Sequence, residues 1–392
     1  MRDLFNPSEE HAALRRTLRE FAEGEVDPQA AAYDRSESFN VGLFKKLGEL
    51  GVLGITVAEK FGGAGMDAVA AVIAHEELAA ADPGFTLAYL AHSMLFVNNF
   101  YQNASDAQRS RYLPDVCSGK KIGGMCMSEP GAGTDVLGMK TTAARRGDVY
   151  VLNGAKMWIT NGAVSDSELG DIFLVYARTG EKGVRSFSQF LVEKGASGFK
   201  LGQKLKDKLG MRASTTAELV FDGCEVPAAN LIGQEGDAVG HMMRNLEIER
   251  LTLAAMSLGI ARRSIEIMNR YASERHAFGQ PIREFGQIQS HIATSYASWM
   301  AGRCYVYETA AHLDLAEGGH RIDSDGVKLF CATMGKEVAD RAIQVLGGYG
   351  YVGEYQVERL WRDAKLLEIG GGTIEAHQKN LARDLARVSL LP

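Results

Sequence analysis

The sequence lacks the features that would commit it to several common roles. Its five cysteines, at 117, 126, 224, 304 and 331, are far apart and form no C-x-x-C. That excludes a zinc ribbon or a disulfide framework and reads as reduced thiols, mostly in the core, of a cytosol-like compartment. No two of the nine histidines make H-x-x-x-H, and His75-Glu76-Glu77 has no second histidine at the needed offset, so no metal site is expected. There is no basic run, and a net charge of −6 speaks against nucleic acid as a partner. No apolar run approaches bilayer length, and the N-terminus, MRDLFNPSEEHAALRR, carries acids early and no signal-peptide core. A cytoplasmic protein without membrane association is the expectation. Internal repeats and low-complexity segments are missing too.

What is present is an ordinary globular composition, 46% apolar and 23% charged, over 392 residues, enough for two or three domains. The hydrophobic period divides the chain into three. Residues 1–122 carry Ala-rich helical runs at 11–34, 41–50, 67–81 and 86–101, with a Gly-rich connector at Leu50–Met66. Residues 123–235 switch to period two, with strand-like runs at 149–152, 156–160, 172–177, 187–192 and 217–221. Asn153-Gly154 between the first two predicts a two-residue hairpin turn. Residues 236–392 return to long helices at 238–274, 287–317, 323–346 and 373–389. The expected fold is α+β and multidomain: an N-terminal α-helical domain, a middle β-barrel or sandwich, and a C-terminal four-helix bundle.

Within Met242–Ile260, Met242, Leu246, Leu253, Met256 and Ile260 repeat at the spacing of one helical face. Glu249 falls on that stripe. It is either a satisfied ion pair, with Arg250 or Arg244, or a general base whose proton affinity burial raises. Four other stretches could carry chemistry. Cys126–Gly138, CMSEPGAGTDVLG, combines close-approach glycines with the hydroxyls of Ser128 and Thr134. Lys156–Gly162, KMWITNG, sets an indole beside a hydroxyl, suited to a planar ligand, although a core Trp is the commoner reason for one. Gln344–Asp363 spells G-x-G-x-x-G at Gly348, Gly350 and Gly353, but a helix-like run precedes it and no βαβ unit surrounds it. Those glycines read as a helix end. Arg275–Pro281, RHAFGQP, offers a planar cation for a phosphate.

In this order and at these distances the four stretches resemble the acyl-CoA dehydrogenase family, nearly end to end. The resemblance implies a flavoprotein with FAD, usually a homotetramer. Such enzymes take the α-proton and β-hydride from an acyl-CoA thioester, giving the trans-2-enoyl-CoA, and pass electrons to an electron-transferring flavoprotein. Carried over by motif, Met127, Ser128, Gly133 and Thr134 would line the flavin, with Trp158 and Thr160 at its ring. Arg275, Phe278, Gln344, Gly347 and Gly348 would contact the ADP half, partly from a neighbouring subunit, and Thr373 and Glu375 would add further FAD contacts. Thr134, Arg185, Glu247, Arg250, Gly370 and Gly371 would meet the acyl-CoA, with a Gly371 N–H polarising the thioester carbonyl.

Most of the family keeps its base in a Y-E-G-T loop near the C-terminus, where this chain reads Ile369-Gly370-Gly371-Gly372-Thr373. A smaller set, isovaleryl-CoA dehydrogenase among them, carries it in L-x-L-E-R, matched here by Leu246-Glu247-Ile248-Glu249-Arg250. The resemblance therefore implies that Glu249 is the catalytic base. Two departures stand out: Glu247 replaces the family's usual Asp, and Gly286 separates Phe285 from Gln287. Phe85–Phe96 is expected to wall the acyl cavity. It has no Arg or Lys, which disfavours a dicarboxylyl tail, and the open glycine loop suits a branch at carbon 3. Citronellyl-like or plain medium and long chains also fit. A flavin oxidase or monooxygenase on the same fold and a non-catalytic scaffold are the rival classes.

Overall fold

The computed structural model describes residues 3–180 and 186–388. Its centre is α8, Ala238–Glu274, buried without a break from Glu247 to Ala261. Small residues let neighbours close on it from two sides. α4, Ala68–Ala81, is buried along its whole length, and a Cβ on Gly259 of α8 would lie 2.4 Å from the Glu76 carbonyl oxygen. α10, Arg321–Leu346, meets α8 where a Cβ on Gly335 would stand 3.0 Å from Ser257. α9, Gly286–His312, lies alongside both; Tyr296 and Tyr305 on it and Phe330 on α10 are exposed. α12, Val357–Leu367, and α13, Ile374–Leu385, pack on α10.

The N-terminal part is helical. α1, Glu9–Phe21, passes through a π-helical turn at Ala22–Val26 into α2, Asp27–Ser36, followed by α3, Val41–Glu49. The run predicted as one helix over 86–101 is α5, Pro83–Leu90, a π-helical stretch at Ala91–Asn98, and α6, Asn99–Asn103. α7, Asp106–Cys117, follows Ser105 with a capping box to Gln108; the sequence reading had missed it, as it had α12. His75-Glu76-Glu77 belongs to a buried ion cluster. Arg15 lies 2.9 Å from Glu76 and 2.6 Å from Glu77, Arg303 bonds Glu76 at 2.8 Å, and Arg262 bonds Glu77 at 2.7 Å. Among the described residues no group of His, Cys, Asp and Glu could hold a metal ion, and no helix is long and apolar enough to cross a membrane.

Between the helical parts the described residues form eight strands, β1 (Gly123–Cys126), β2 (Thr142–Arg146), β3 (Val149–Thr160), β4 (Ile172–Arg178), β5 (Phe187–Glu193), β6 (Phe199–Lys204), β7 (Thr216–Pro227) and β8 (Leu231–Ile232). Their order is β6-β7-β3-β2-β4-β5-β8, with β1 pairing β4. The halves β6-β7-β3-β2 and β1-β4-β5-β8 meet through one parallel bridge, Thr142 with Arg178, and face each other across a shared core. The Tyr150 and Phe190 rings there are 4.8 Å apart. The Asn153-Gly154 hairpin does not form. β3 runs straight through both residues, with a register shift against β7 between Leu152 and Gly154, and the turn sits earlier, at Gly147-Asp148. Gly154 (φ +148) is needed because a Cβ there would stand 2.4 Å from Thr141 Oγ1. The Asn-Gly pair marks a bulge, which draws on the same backbone freedom as a turn.

Candidate active site

Glu249 is buried on α8, and its carboxylate makes no hydrogen bond or ion pair among the described residues; Oε2 is fully shielded. The ion-pair reading fails because both arginines are engaged elsewhere. Arg244 bonds Asn103, and Arg250 Nη1 sits 3.1 Å from Asp325 Oδ1, close enough for charge pairing though not aligned for a hydrogen bond. Burial pushes the Glu249 carboxyl up to about 7, against the opposing pull of Arg250 and Lys328. Lys328 is buried too and is pushed down to about 8 by desolvation, with Glu249 resisting; its ammonium donates to the Leu367 carbonyl.

Facing the carboxylate is the Gly370–Gly372 loop that joins α12 to α13. A Cβ on Gly371 would be 3.4 Å from Glu249 Oε1 and 2.3 Å from Leu253 Cδ1, so glycine is required there on space as well as on its φ of +68°. The Gly371 and Gly372 N–H groups have no acceptor among the described residues. Thr373 caps α13, its hydroxyl accepting from Ala376 N at 3.3 Å, and Glu375 is exposed in the first turn.

The 126–138 loop is tied to β3: Met157 N donates to Ser128 O at 3.0 Å, and the Lys156 ammonium donates to Met127 O and to Glu129 at 3.0 and 2.9 Å. Beside it Trp158 is 55% exposed at a φ of +60°, while the hydroxyls of Ser128, Thr134 and Thr160 have no partner among the described residues. Space beside Gly131 and Gly133 is open. An uncovered indole beside a glycine-opened loop that carries free hydroxyls fits a planar group with hydrogen-bonding edges. Met127 also packs in the cluster that holds Met242 and Leu246, which brings this loop to the N-terminal end of α8, near Glu249.

Arg275 and Phe278 are elsewhere. They follow the far end of α8, 26 residues beyond Glu249, or about 39 Å along the helix. Phe278 is 96% exposed, and Gln344, Gly347 and Gly348 are exposed near it, where Tyr349 packs 6.2 Å from Tyr271. The helix before these glycines rules out a dinucleotide-binding strand–turn–helix. Arg185 lies outside the described residues. Glu247 and Arg250 do not pair with each other; Glu247 accepts from the N–H groups of Gly319 (3.2 Å) and His320 (2.9 Å). Of the expected Phe85–Phe96 wall, Phe85 packs on Phe39 and Phe44 in another cluster, and Phe96 on Phe100. Leu87, Leu90 and the half-buried Leu95 share a cluster with Leu253.

The sequence reading did not single out His377 and Asp325. His377 Nδ1 is 2.5 Å from Asp325 Oδ1 and Nε2 is 3.0 Å from the Gly372 carbonyl oxygen. His377 falls on the apolar stripe of α13 with Ile374, Leu381 and Leu385, the same kind of signal as Glu249 on α8, but Asp325 is 52 residues away and no local pattern joins the two.

Residues 8–120, 124–224 and 239–386 match the family models for the acyl-CoA dehydrogenase N-terminal, middle and C-terminal domains. A mitochondrial isovaleryl-CoA dehydrogenase of Oryza sativa subsp. japonica is 41% identical over 388 residues, 97% of this chain and 92% of that protein. The structure of butyryl-CoA dehydrogenase from Megasphaera elsdenii matches with a TM-score of 0.92 at 33% identity, covering 97% of this chain and 99% of that one. A Mycobacterium smegmatis glutaryl-CoA dehydrogenase in complex with FADH2 matches at 0.90 and 29% identity, over 98% and 96% of the two chains.

Proposed function

This chain belongs to the acyl-CoA dehydrogenase family, and we propose that it uses Glu249 to take the α-proton of a short, 3-methyl-branched acyl-CoA thioester. The observation that carries the reading is a buried, unpartnered carboxylate with raised proton affinity, set opposite a glycine loop with free N–H groups. A base near neutrality takes a proton effectively while remaining partly ionised at working pH. The α-proton is weakly acidic, so the thioester carbonyl must be polarised as it leaves; the Gly371 N–H is available for that bond.

Ser128, Thr134, Trp158 and Thr160 would hold the flavin of FAD, which when bound supplies the acceptor for the β-hydride. Arg275, Phe278, Gln344, Gly347 and Gly348 would hold the ADP half of a neighbouring subunit's FAD, because about 39 Å of helix separates them from the base of their own chain. The exposed aromatic face of α9 and α10 supports such self-association into a homotetramer. Thr373 and Glu375 remain candidates for FAD, and Arg250, Gly370 and Gly371 for the acyl-CoA. Glu247, satisfied by two backbone N–H groups, would shape the CoA channel through the 319–320 turn. An electron-transferring flavoprotein is the proposed electron acceptor. The test is anaerobic bleaching of the purified yellow protein by a panel of acyl-CoAs, followed by air. Fast bleaching by isovaleryl-CoA with slow reoxidation is expected; fast reoxidation in air would make it an oxidase.

A further inference from the structure

The Gly370–Gly372 loop needs a device to hold it, since glycines at φ +68° and +105° have wide conformational freedom. Its own hydrogen bonds secure only the flanks, Gly370 N to Leu366 O at 2.8 Å and Ile374 N to Glu368 O at 3.2 Å. The contact reaching its middle comes from His377, whose Nε2 meets the Gly372 carbonyl at 3.0 Å. The fit is close: a Cβ on Gly372 would stand 2.9 Å from His377 Cε1.

Counting protons gives this contact its chemistry. A carbonyl oxygen only accepts, so Nε2 must carry a hydrogen. An ionised Asp325 only accepts, so Nδ1 must carry one as well. The His377–Asp325 pair therefore holds two protons whenever both bonds are made, either as imidazolium and carboxylate or as imidazole and carboxylic acid. The groups around it act in both directions. On α10 these are Asp325 itself, Lys328, and Arg321 at 3.9 Å from Asp325 Oδ2; on α8 they are Arg250 and Glu249; on α13, Asp384 pairs with Arg321. Burial lowers the proton affinity of His377 and the Asp325 bond opposes this, but Lys328 and Arg250 lower it further and the net direction is down. Withdrawing one proton leaves Nδ1–H on Asp325 and turns the Nε2 lone pair against the Gly372 carbonyl.

We propose that His377 and Asp325 are positioning residues: their shared protons hold the Gly372 carbonyl, and through it aim the Gly371 N–H at the site where Glu249 works. The proposal rests on Glu249 as base and adds a proton-dependent control of the loop opposite it.

The test is stopped-flow reduction of the FAD-loaded protein by saturating isovaleryl-CoA in the parent, His377→Leu, His377→Gln and Asp325→Asn. His377→Leu should lower the limiting rate by about 10²-fold, the cost of a misplaced catalytic contact, with FAD content and substrate affinity retained. His377→Gln should recover much of it, because an amide N–H can donate to Gly372 and does not titrate. Asp325→Asn can donate to Nδ1, which frees a neutral imidazole to donate through Nε2. It should slow the reaction less than His377→Leu and abolish the fall in rate that loss of the pair's second proton is expected to give the parent as pH rises. An unchanged rate in a folded, FAD-loaded His377→Leu, or a His377→Gln as slow as Leu, would overturn the proposal. Proton NMR gives a readout without turnover: the proton bridging His377 Nδ1 and Asp325 should yield a far-downfield resonance, lost in His377→Leu and kept in Glu249→Gln. Its absence from the parent would refute the two-proton pair. Parental reduction rates in Glu249→Gln would instead refute the base and leave that resonance in place.

Discussion

Glu249→Gln separates what the carboxylate does for chemistry from what it does to stability. Gln keeps the volume and cannot take a proton, so flavin reduction by isovaleryl-CoA should slow by ~10²–10⁴-fold, the range for losing a general base. The stability effect has the opposite sign. The carboxyl rises from 4.5 to about 7 on folding because burial disfavours its charge. The folded protein therefore binds this proton more tightly than the unfolded chain. That contribution is full below the unfolded value and is lost as pH rises through the folded one. The 2.5-unit difference corresponds to about 3 kcal/mol. Parent and Glu249→Gln should melt alike near pH 5, and near pH 8 the variant should melt higher by a few degrees. Thermal melts at both pH values, with substrate absent, sit beside stopped-flow reduction on the same preparations. A variant that reduces its flavin at the parental rate ends the base assignment. A variant slow in reduction but no more stable than the parent near pH 8 refutes the desolvation argument.

Arg275→Ala should weaken FAD retention more than it slows reduction at saturating FAD; equal FAD affinity in variant and parent, measured by flavin fluorescence on titration, would remove Arg275 from the cofactor site. 3-Methyl-branched acyl-CoAs should exceed glutaryl-CoA in kcat/KM by orders of magnitude, since Lys328 already bonds Leu367 and Arg250 already faces Asp325; comparable turnover would mean that one of these cations is free for a substrate carboxylate. Gly154→Ala should destabilise the protein by roughly 1–3 kcal/mol, because the bulge backbone and the Thr141 contact both exclude a Cβ; an unchanged Tm would show that the strand shifts without cost.

The buried carboxylate of Glu249 and its helix were legible because burial of a helix leaves a periodic trace, and a carboxylate on the apolar stripe is an exception within that trace. The same logic divided the chain, since a sheet covered on one face alternates and a packed helix does not. α12 escaped notice behind a glycine motif, although Leu360, Ala364 and Leu367 repeat at helical spacing within it. The Asn-Gly turn was misread for a physical reason: the dipeptide reports a backbone that needs freedom, and only the unbroken β3–β7 pairing shows whether the chain reverses. His377 carries the same kind of trace, on the Ile374, Leu381 and Leu385 stripe of α13, but its pairing with Asp325 has no local signal. Its meaning arises when α10 and α13 pack and leave two acceptors on opposite sides of one imidazole.

The glycine loop also explains why a carboxylate on α8 and a carboxylate on the loop exclude one another. A side chain leaving Gly371 would start 3.4 Å from Glu249 Oε1, so two carboxylates there would share one small volume and repel. It would also begin 2.3 Å from Leu253 Cδ1 and adopt a φ of +68° that a residue with a Cβ resists. Moving the carboxylate from position 249 to 371 therefore demands more than exchanging two residues, because Leu253 occupies the path of the new side chain. Shortening Leu253 clears the path and opens space in the cluster it shares with Leu87, Leu90 and Leu95. The residue that keeps the loop glycine-only thus packs with leucines of the 85–96 segment, and under the proposed function base position and tail preference would be coupled through Leu253.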